Sequence, residues 1–325
     1  MKLWQHLNGP HARPFAVLAA CIVLLTAVDG GGPGQFLSAA TAYSTLQTFA
    51  TISLVTLGLG LTMMIREFDL SVVGMYGMAG CIAVLTGTHY PWLGLWLALA
   101  IGVTAGIVQG LLIVRLHLSS VGVTLGGLLV FVGIAFVLTE SRSLPYDNLG
   151  VALLLNERIG GVFSLRSVIA LVFFGGAAAM FAWTRLGRDI VAIGSDRRAA
   201  VTTGVKVDTL IIGVFGFSGL CAALSGVLLS YSLASASPAG LSEVIAPAAA
   251  GAILGGVSLG GGSGRPFGIA AGALTFAVLR SGLNAVGAPP FVNDITMGAV
   301  LLTVAVLDGP YLARRLISAR RALGA

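Results

Sequence analysis

The chain has 325 residues, 57% of them hydrophobic and 9% charged, against about a quarter charged in a soluble domain. So few charges cannot cover a water-facing surface, which excludes a soluble fold and leaves the surplus apolar side chains facing lipid or one another. The net charge of +6 does not mark a nucleic-acid binder, because the basic residues lie between apolar runs and are not interleaved with aromatics.

Residues 1–14 are polar and carry Lys2 and Arg13. The apolar run that follows, 15–30, reads as an uncleaved first helix, because no small-x-small cleavage site follows it cleanly. Further runs long enough to cross the hydrocarbon core occupy 43–65, 69–88, 91–114, 119–139, 165–185, 208–232, 243–262, 266–285 and 290–308. Glycine interrupts the third, eighth and ninth spans, which are therefore expected to be short, broken or partly re-entrant. Small residues four apart, such as Gly102, Gly106 and Gly110, or Gly251 and Gly255, or Gly264, Gly268 and Gly272, point to close helix packing. The expected fold class is all-α: a polytopic membrane helix bundle of about ten transmembrane helices forming one domain over 1–325.

The basic residues orient this bundle. With ten crossings and the N-terminus in the cytoplasm, fourteen of the 18 Lys and Arg lie inside. The cytoplasmic set includes Arg66, Arg115, Arg188, Arg197 and Lys206, and a basic tail at 309–325. Arg142, Arg158, Arg166 and Arg280 fall outside or near the outer end. The long break from Glu140 to Ser164 is then external, and the break at 184–207 is cytoplasmic.

Little in the chain can do chemistry. Cys21, Cys81 and Cys221 sit singly in apolar runs and read as small buried hydrophobes. The run Gly260–Gly264 lacks the lysine and the preceding strand of a phosphate loop and reads as a turn between helices. His6, His11, His89 and His117 are scattered at span edges, without ligand spacing. No nucleophile has a partnered base, so neither an enzyme nor a bound cofactor or metal is expected. Asp69, Glu140, Glu243, Arg280, Asp294 and Asp308 all fall near span ends, which weakens a proton- or sodium-coupled secondary carrier. Polar groups inside spans, namely Gln47, Thr48, Thr51, Gln109, Thr124, Ser225 and Asn284, either line a pathway or bond between helices. Asp69 and Ser71 stand where a helix should begin, as candidate caps.

The segment Thr184–Asp208 stands apart. Asp189–Ile193 and Asp196–Val201 each predict a turn or two of helix, with Gly194 and Gly204 as breaks. Ile190, Val191, Ile193, Ala199, Ala200 and Val201 need an apolar partner, and a short amphipathic helix outside the membrane can dock in a groove on another protein.

Four motifs in order carry a family resemblance. Gly187-Arg188-Asp189-Ile190-Val191-Ala192-Ile193-Gly194, with Asp196, Ala199-Ala200 and Gly204 beyond it, resembles the cytoplasmic coupling segment of ribose-type ABC sugar permeases. Asp69-Leu70-Ser71-Val72 resembles that family's signature turn after the second span. Val123-Thr124-Leu125-Gly126 and the glycine-rich 252–264 resemble two further stretches. Arg66, Glu67 and Phe68 depart from it, since the family commonly has glycines there, and Val73 is inserted before Gly74. The turn is thus charged and bulkier than usual, leaving a homodimer or a heterodimer open.

The resemblance implies the permease subunit of a binding-protein-dependent importer in the bacterial inner membrane, of the type II ABC importer kind. Helices 2–5 and 7–10 would be related by a pseudo-twofold axis. It also implies a second permease, an ATP-binding cassette ATPase that carries ATP and magnesium, and a periplasmic solute-binding protein. The solute would be a monosaccharide or related polyol, with nucleosides or branched-chain amino acids as the alternative.

Overall fold

A computed structural model describes residues 12–29, 36–239, 245–289, 291–300 and 302–303. The sequence expectations for 1–11, Glu243, Asp308 and the tail at 309–325 fall outside the described residues. The helices are α1 (Arg13–Val28), α2 (Ala39–Met64), α3 (Val72–Thr86), α4 (Pro91–Arg115), α5 (Ser120–Leu138) and α6 (Leu149–Asn156). They continue as α7 (Leu165–Trp183), α8 (Arg185–Ser195), α9 (Arg197–Thr202), α10 (Val207–Ser232), α11 (Ile245–Leu254) and α12 (Pro266–Ala285), and residues 291–300 are also helical.

Local chemistry sets several of these starts. Proline occupies the first turn of α1, α4 and α12, where its missing N–H costs nothing. Ser38 accepts a bond from the Thr41 amide and so begins α2 earlier than its apolar run. Ser164 and Ser167 form a reciprocal capping box at the head of α7.

Among the described residues, α2, α4, α5, α7, α10 and α12 are long and apolar enough to cross a membrane, while α1, α3 and α11 are apolar but shorter. The chain is a multi-pass membrane bundle. Its centre is α10, which packs against α4, α3 and α2, while α2 also packs against α12 and α11. Both central helices are buried on nearly all sides over much of their length. The α4–α10 crossing needs glycine, because a Cβ on Gly102 would lie 2.6 Å from the Gly219 carbonyl oxygen. The glycine run closes as the turn between α11 and α12, with Gly261 and Gly262 at φ +71° and +72°.

Some spans differ from the sequence expectation. The third helix begins only at Val72, so Asp69 to Ser71 belong to a turn. The eighth ends at Leu254, before the glycine run, whereas the ninth is one unbroken helix of 20 residues. The break after α5 is not plain loop. It contains α6 and a short strand, β1 (Leu144–Pro145), antiparallel to β2 (Ser235–Ala236) beyond α10. Tyr146 stacks on Tyr231 beside this pair at 4.7 Å between centroids, and its hydroxyl donates to the Gly87 carbonyl.

Candidate functional site

The amphipathic segment forms a helical elbow, α8 followed by α9. Thr184 caps α8 by accepting from the Leu186 amide. Gly187, Ile190, Ile193 and Gly194 form its buried face, and Arg188 and Ser195 stay exposed. Gly194 is not a break, as its sequence position suggests, but lies inside α8. A Cβ there would overlap the Met64 carbonyl oxygen at the end of α2. The break falls at Asp196, whose Oδ1 accepts from the Arg198 and Ala199 amides and starts α9. Those amide bonds, Ala199 first and Arg198 second, hold the exposed Asp196 carboxyl below the usual aspartate range. Gly204 closes α9 at φ +85°.

The apolar residues of this segment mostly find their partner within the chain. Ile190, Ile193 and Ala200 are buried, while Val191 and Ala192 are half-buried. The expectation that all of them need an outside partner is corrected accordingly. Leu186, Ala199 and Val201 remain exposed.

The turn between α2 and α3 sits under this elbow. Arg66 has a left-handed backbone, φ 64°. Its Nε donates to the Gly260 carbonyl at 2.7 Å and a terminal nitrogen donates to the Ser195 carbonyl at 2.8 Å. The next residue, Glu67, pairs with Arg197 at 3.4 Å. A cleft of about 300 Å³ opens here, lined by Glu67, His117, Arg197 and Asp208 with Ile113 and Val114.

Asp69 is buried and accepts three bonds: from the Ser71 amide at 3.0 Å, the Ser71 hydroxyl at 2.6 Å and the Ser218 hydroxyl of α10 at 2.7 Å. Asp69 thus takes a backbone amide at the head of α3 and also ties that head to α10. Ser71 stands at the N-cap of α3 but makes no side-chain cap bond, and its hydroxyl donates to Asp69 instead. Leu70 between them is half-buried.

Gln109 of α4 lies 3.0 Å from the Ser71 hydroxyl. The atom placed there is the amide oxygen; a hydroxyl has one proton, already given to Asp69 at 2.6 Å, so turning the amide to present its nitrogen would satisfy both groups. Thr124 of α5 shares its proton between the Ser120 carbonyl of its own helix at 2.8 Å and the Phe68 carbonyl at 3.1 Å, and the Phe68 amide donates to the Ser120 hydroxyl. The turn thus gathers Asp69, Ser71, Gln109 and Thr124 into one cluster.

The other polar span residues lie elsewhere. Gln47 bonds Tyr43, Asn156 and Ser164, and Thr51 accepts from Arg166 at 2.6 Å. Arg158 lies over the Tyr43 ring. Ser225 donates to the Thr51 carbonyl, Thr48 pairs with Ser281, and Asn284 accepts from Asn293. Sequence reasoning placed Arg166 only by its side of the membrane. It is 4% exposed, bonds Thr51 and Ser232, and has no carboxylate partner among the described residues. Its signal was a cation at the head of an apolar run, two residues after a capping serine.

A bundle of lipid-length helices knit by buried polar bonds, with an amphipathic elbow at one end, is the build of a membrane transport component. The chain belongs to the branched-chain amino acid transport system / permease component family, whose profile matches residues 41–305. It is 29% identical to the ribose import permease protein of Escherichia coli strain K12 over 301 residues, covering 90% of this chain and 92% of that one. It is 28% identical to the D-allose transport system permease protein of the same strain, covering 90% of each. With the autoinducer 2 import system permease protein of Photorhabdus luminescens it shares 29% identity, covering 95% of this chain and 92% of the relative. No solved structure matches the chain significantly.

Proposed function

We propose that this chain is the permease subunit of an ABC importer and carries a monosaccharide across the inner membrane. The observation that carries this reading is the nearly end-to-end similarity to the ribose and D-allose permeases. In this reading the chain hydrolyses nothing. A separate ATP-binding cassette subunit supplies the energy, and a periplasmic binding protein delivers the solute. A second permease chain completes the pathway. The elbow α8–α9 faces the cytoplasm and docks on the ATPase through its exposed Leu186, Arg188, Ala199 and Val201. Ten crossings, both termini inside, and two halves related by a pseudo-twofold axis complete the architecture, with α2–α5 answering α10–α12 and the helix at 291–300.

The test is uptake by the assembled importer in proteoliposomes, with labelled ribose, allose and xylose against leucine and a nucleoside. ATP-dependent sugar uptake that requires the binding protein is the expected result. Leucine or nucleoside uptake without sugar uptake would move the solute to the other branch of the family. Gradient-driven uptake by this chain alone would overturn the class.

A further inference from the structure

We propose that the turn Arg66–Ser71 is the transmission element of this permease, with Arg66 as the positioning residue that holds the coupling elbow to it. The inference rests on the reading that the elbow docks on the ATPase.

Arg66 keeps a left-handed backbone that side chains other than glycine rarely adopt, and that costs conformational energy. Something must hold it there. Its guanidinium joins two separate elements: the Ser195 carbonyl in the last turn of α8 and the Gly260 carbonyl of the glycine loop. Carbonyls in a last helical turn lack intrahelical partners, and a cation suits that end. The α2 end is also tied to the glycine loop through the Gly262 amide and the Met64 carbonyl. Glu67, whose side chain is only 11% exposed, holds Arg197. Arg66 and Glu67 therefore grip the residues on both sides of Asp196, the apex of the elbow.

The same short turn faces the bundle with its other residues. Phe68 bonds Ser120 and Thr124 of α5, Asp69 bonds Ser218 of α10, and Ser71 meets Gln109 of α4. Five of these six consecutive residues, all but Leu70, thus make polar bonds to the elbow, α4, α5 and α10. A displacement of the elbow reaches three helices without crossing a deformable apolar layer. Direct bonds at both ends make the turn one contiguous polar network, the kind of chain through which coupling can travel.

Arg66→Gly separates this role from simple stabilisation. Glycine relieves the left-handed strain while removing both side-chain bonds. Permease, ATPase and binding protein are assembled in proteoliposomes. Three readouts follow: thermal unfolding of the purified permease, complex assembly, and the ratio of ATPase rates with and without solute-loaded binding protein. The expected result is a melting temperature no more than slightly changed, an intact complex, and a stimulation ratio reduced on the order of fivefold or more. Glu67→Arg should lower the ratio as well, and adding Arg197→Glu should restore it.

An unchanged ratio in Arg66→Gly, or a charge swap that folds and restores nothing, would overturn the proposal. Should Arg66→Gly not fold, the charge swap decides alone. Ala199→Asp, on the exposed side of the elbow, is the control for the underlying reading. If it uncouples the complex while Arg66→Gly does not, only the transmission role falls. If it too leaves assembly and stimulation intact, the docking reading falls with it.

Discussion

Asp69 is buried inside the bundle, where burial pushes its carboxyl up and three donors, taking the place of water, oppose that shift. Leaving a buried acceptor without its donor costs about 1–3 kcal/mol, so Ser218→Ala should cost that much stability in detergent. The effect should also depend on Asp69. A double-mutant cycle of Asp69→Ala and Ser218→Ala should show a coupling energy above about 0.5 kcal/mol by thermal unfolding; additive losses would mean that the contact carries no energy of its own.

Arg166 is the complementary case, a buried guanidinium forked between hydroxyls on α2 and α10. Lysine is a compact point charge without that fork. Arg166→Lys should therefore lose one of the two bonds, about 1 kcal/mol, and unchanged melting would argue against a clamping role.

Asp196 gives the pH dependence. Its carboxyl is depressed in the fold, so its contribution to the first turn of α9 is complete above the unfolded aspartate pKa near 3.8. That contribution is lost only as pH falls through the lower folded value. Hydrogen-exchange protection at the Arg198 and Ala199 amides should hold to acid pH and then fall. Loss near neutrality would place the cap elsewhere.

At the scale of the element, the elbow shows where sequence stops being informative. The apolar spans were legible because length and composition alone decide whether a helix can cross lipid. The amphipathic character of α8 was legible from Ile190 and Ile193. What those residues pack against was not, because a hydrophobic face is the same string of letters whether its groove belongs to this chain or to another.

Gly194 resembled a helix breaker, yet it is a point of close approach to the Met64 carbonyl, and only the fold brings residues so distant in sequence together. Arg66 carried a signal only as a departure, an arginine where the resembled family commonly has glycine, the residue that suits a left-handed backbone. The Asp69 motif marked the right place, but its partners Ser218 and Gln109 lie on helices whose pairing no local pattern records. The consequence can be tested within α9. Ala200 is buried and Ala199 exposed, so Ala200→Asp should destabilise the isolated permease on the order of 3 kcal/mol. Ala199→Asp should leave its melting temperature unchanged and act only on the complex. Equal effects in the isolated chain would contradict this packing.

For the whole molecule, the proposed orientation puts the elbow inside and the β1–β2 side outside. Introduced cysteines test it in intact cells. One at Asp147, exposed just beyond β1, should react with an impermeant thiol reagent, and one at Ser195 should react only after the membrane is opened. Cys81 and Cys221 are buried and should contribute little background. The reverse labelling pattern would invert the bundle.

The strand pair beside Tyr146 and Tyr231 has a mechanical meaning of its own. Backbone ladder bonds and stacked rings stitch the loop after α5 to the chain leaving α10, so that end of α10 is the less yielding one. A push delivered at the other end then works against a fulcrum. Over 26 residues, α10 is a lever arm of about 39 Å. A swing of about 5° about Tyr231 carries its far end roughly 3 Å, by the same rise per residue. Ser218, about halfway along, travels about half as far. The leverage is thus greatest where Val207 follows the elbow and vanishes at the stitched end, so a small stroke below can open the lower half of the bundle while the upper half stays shut.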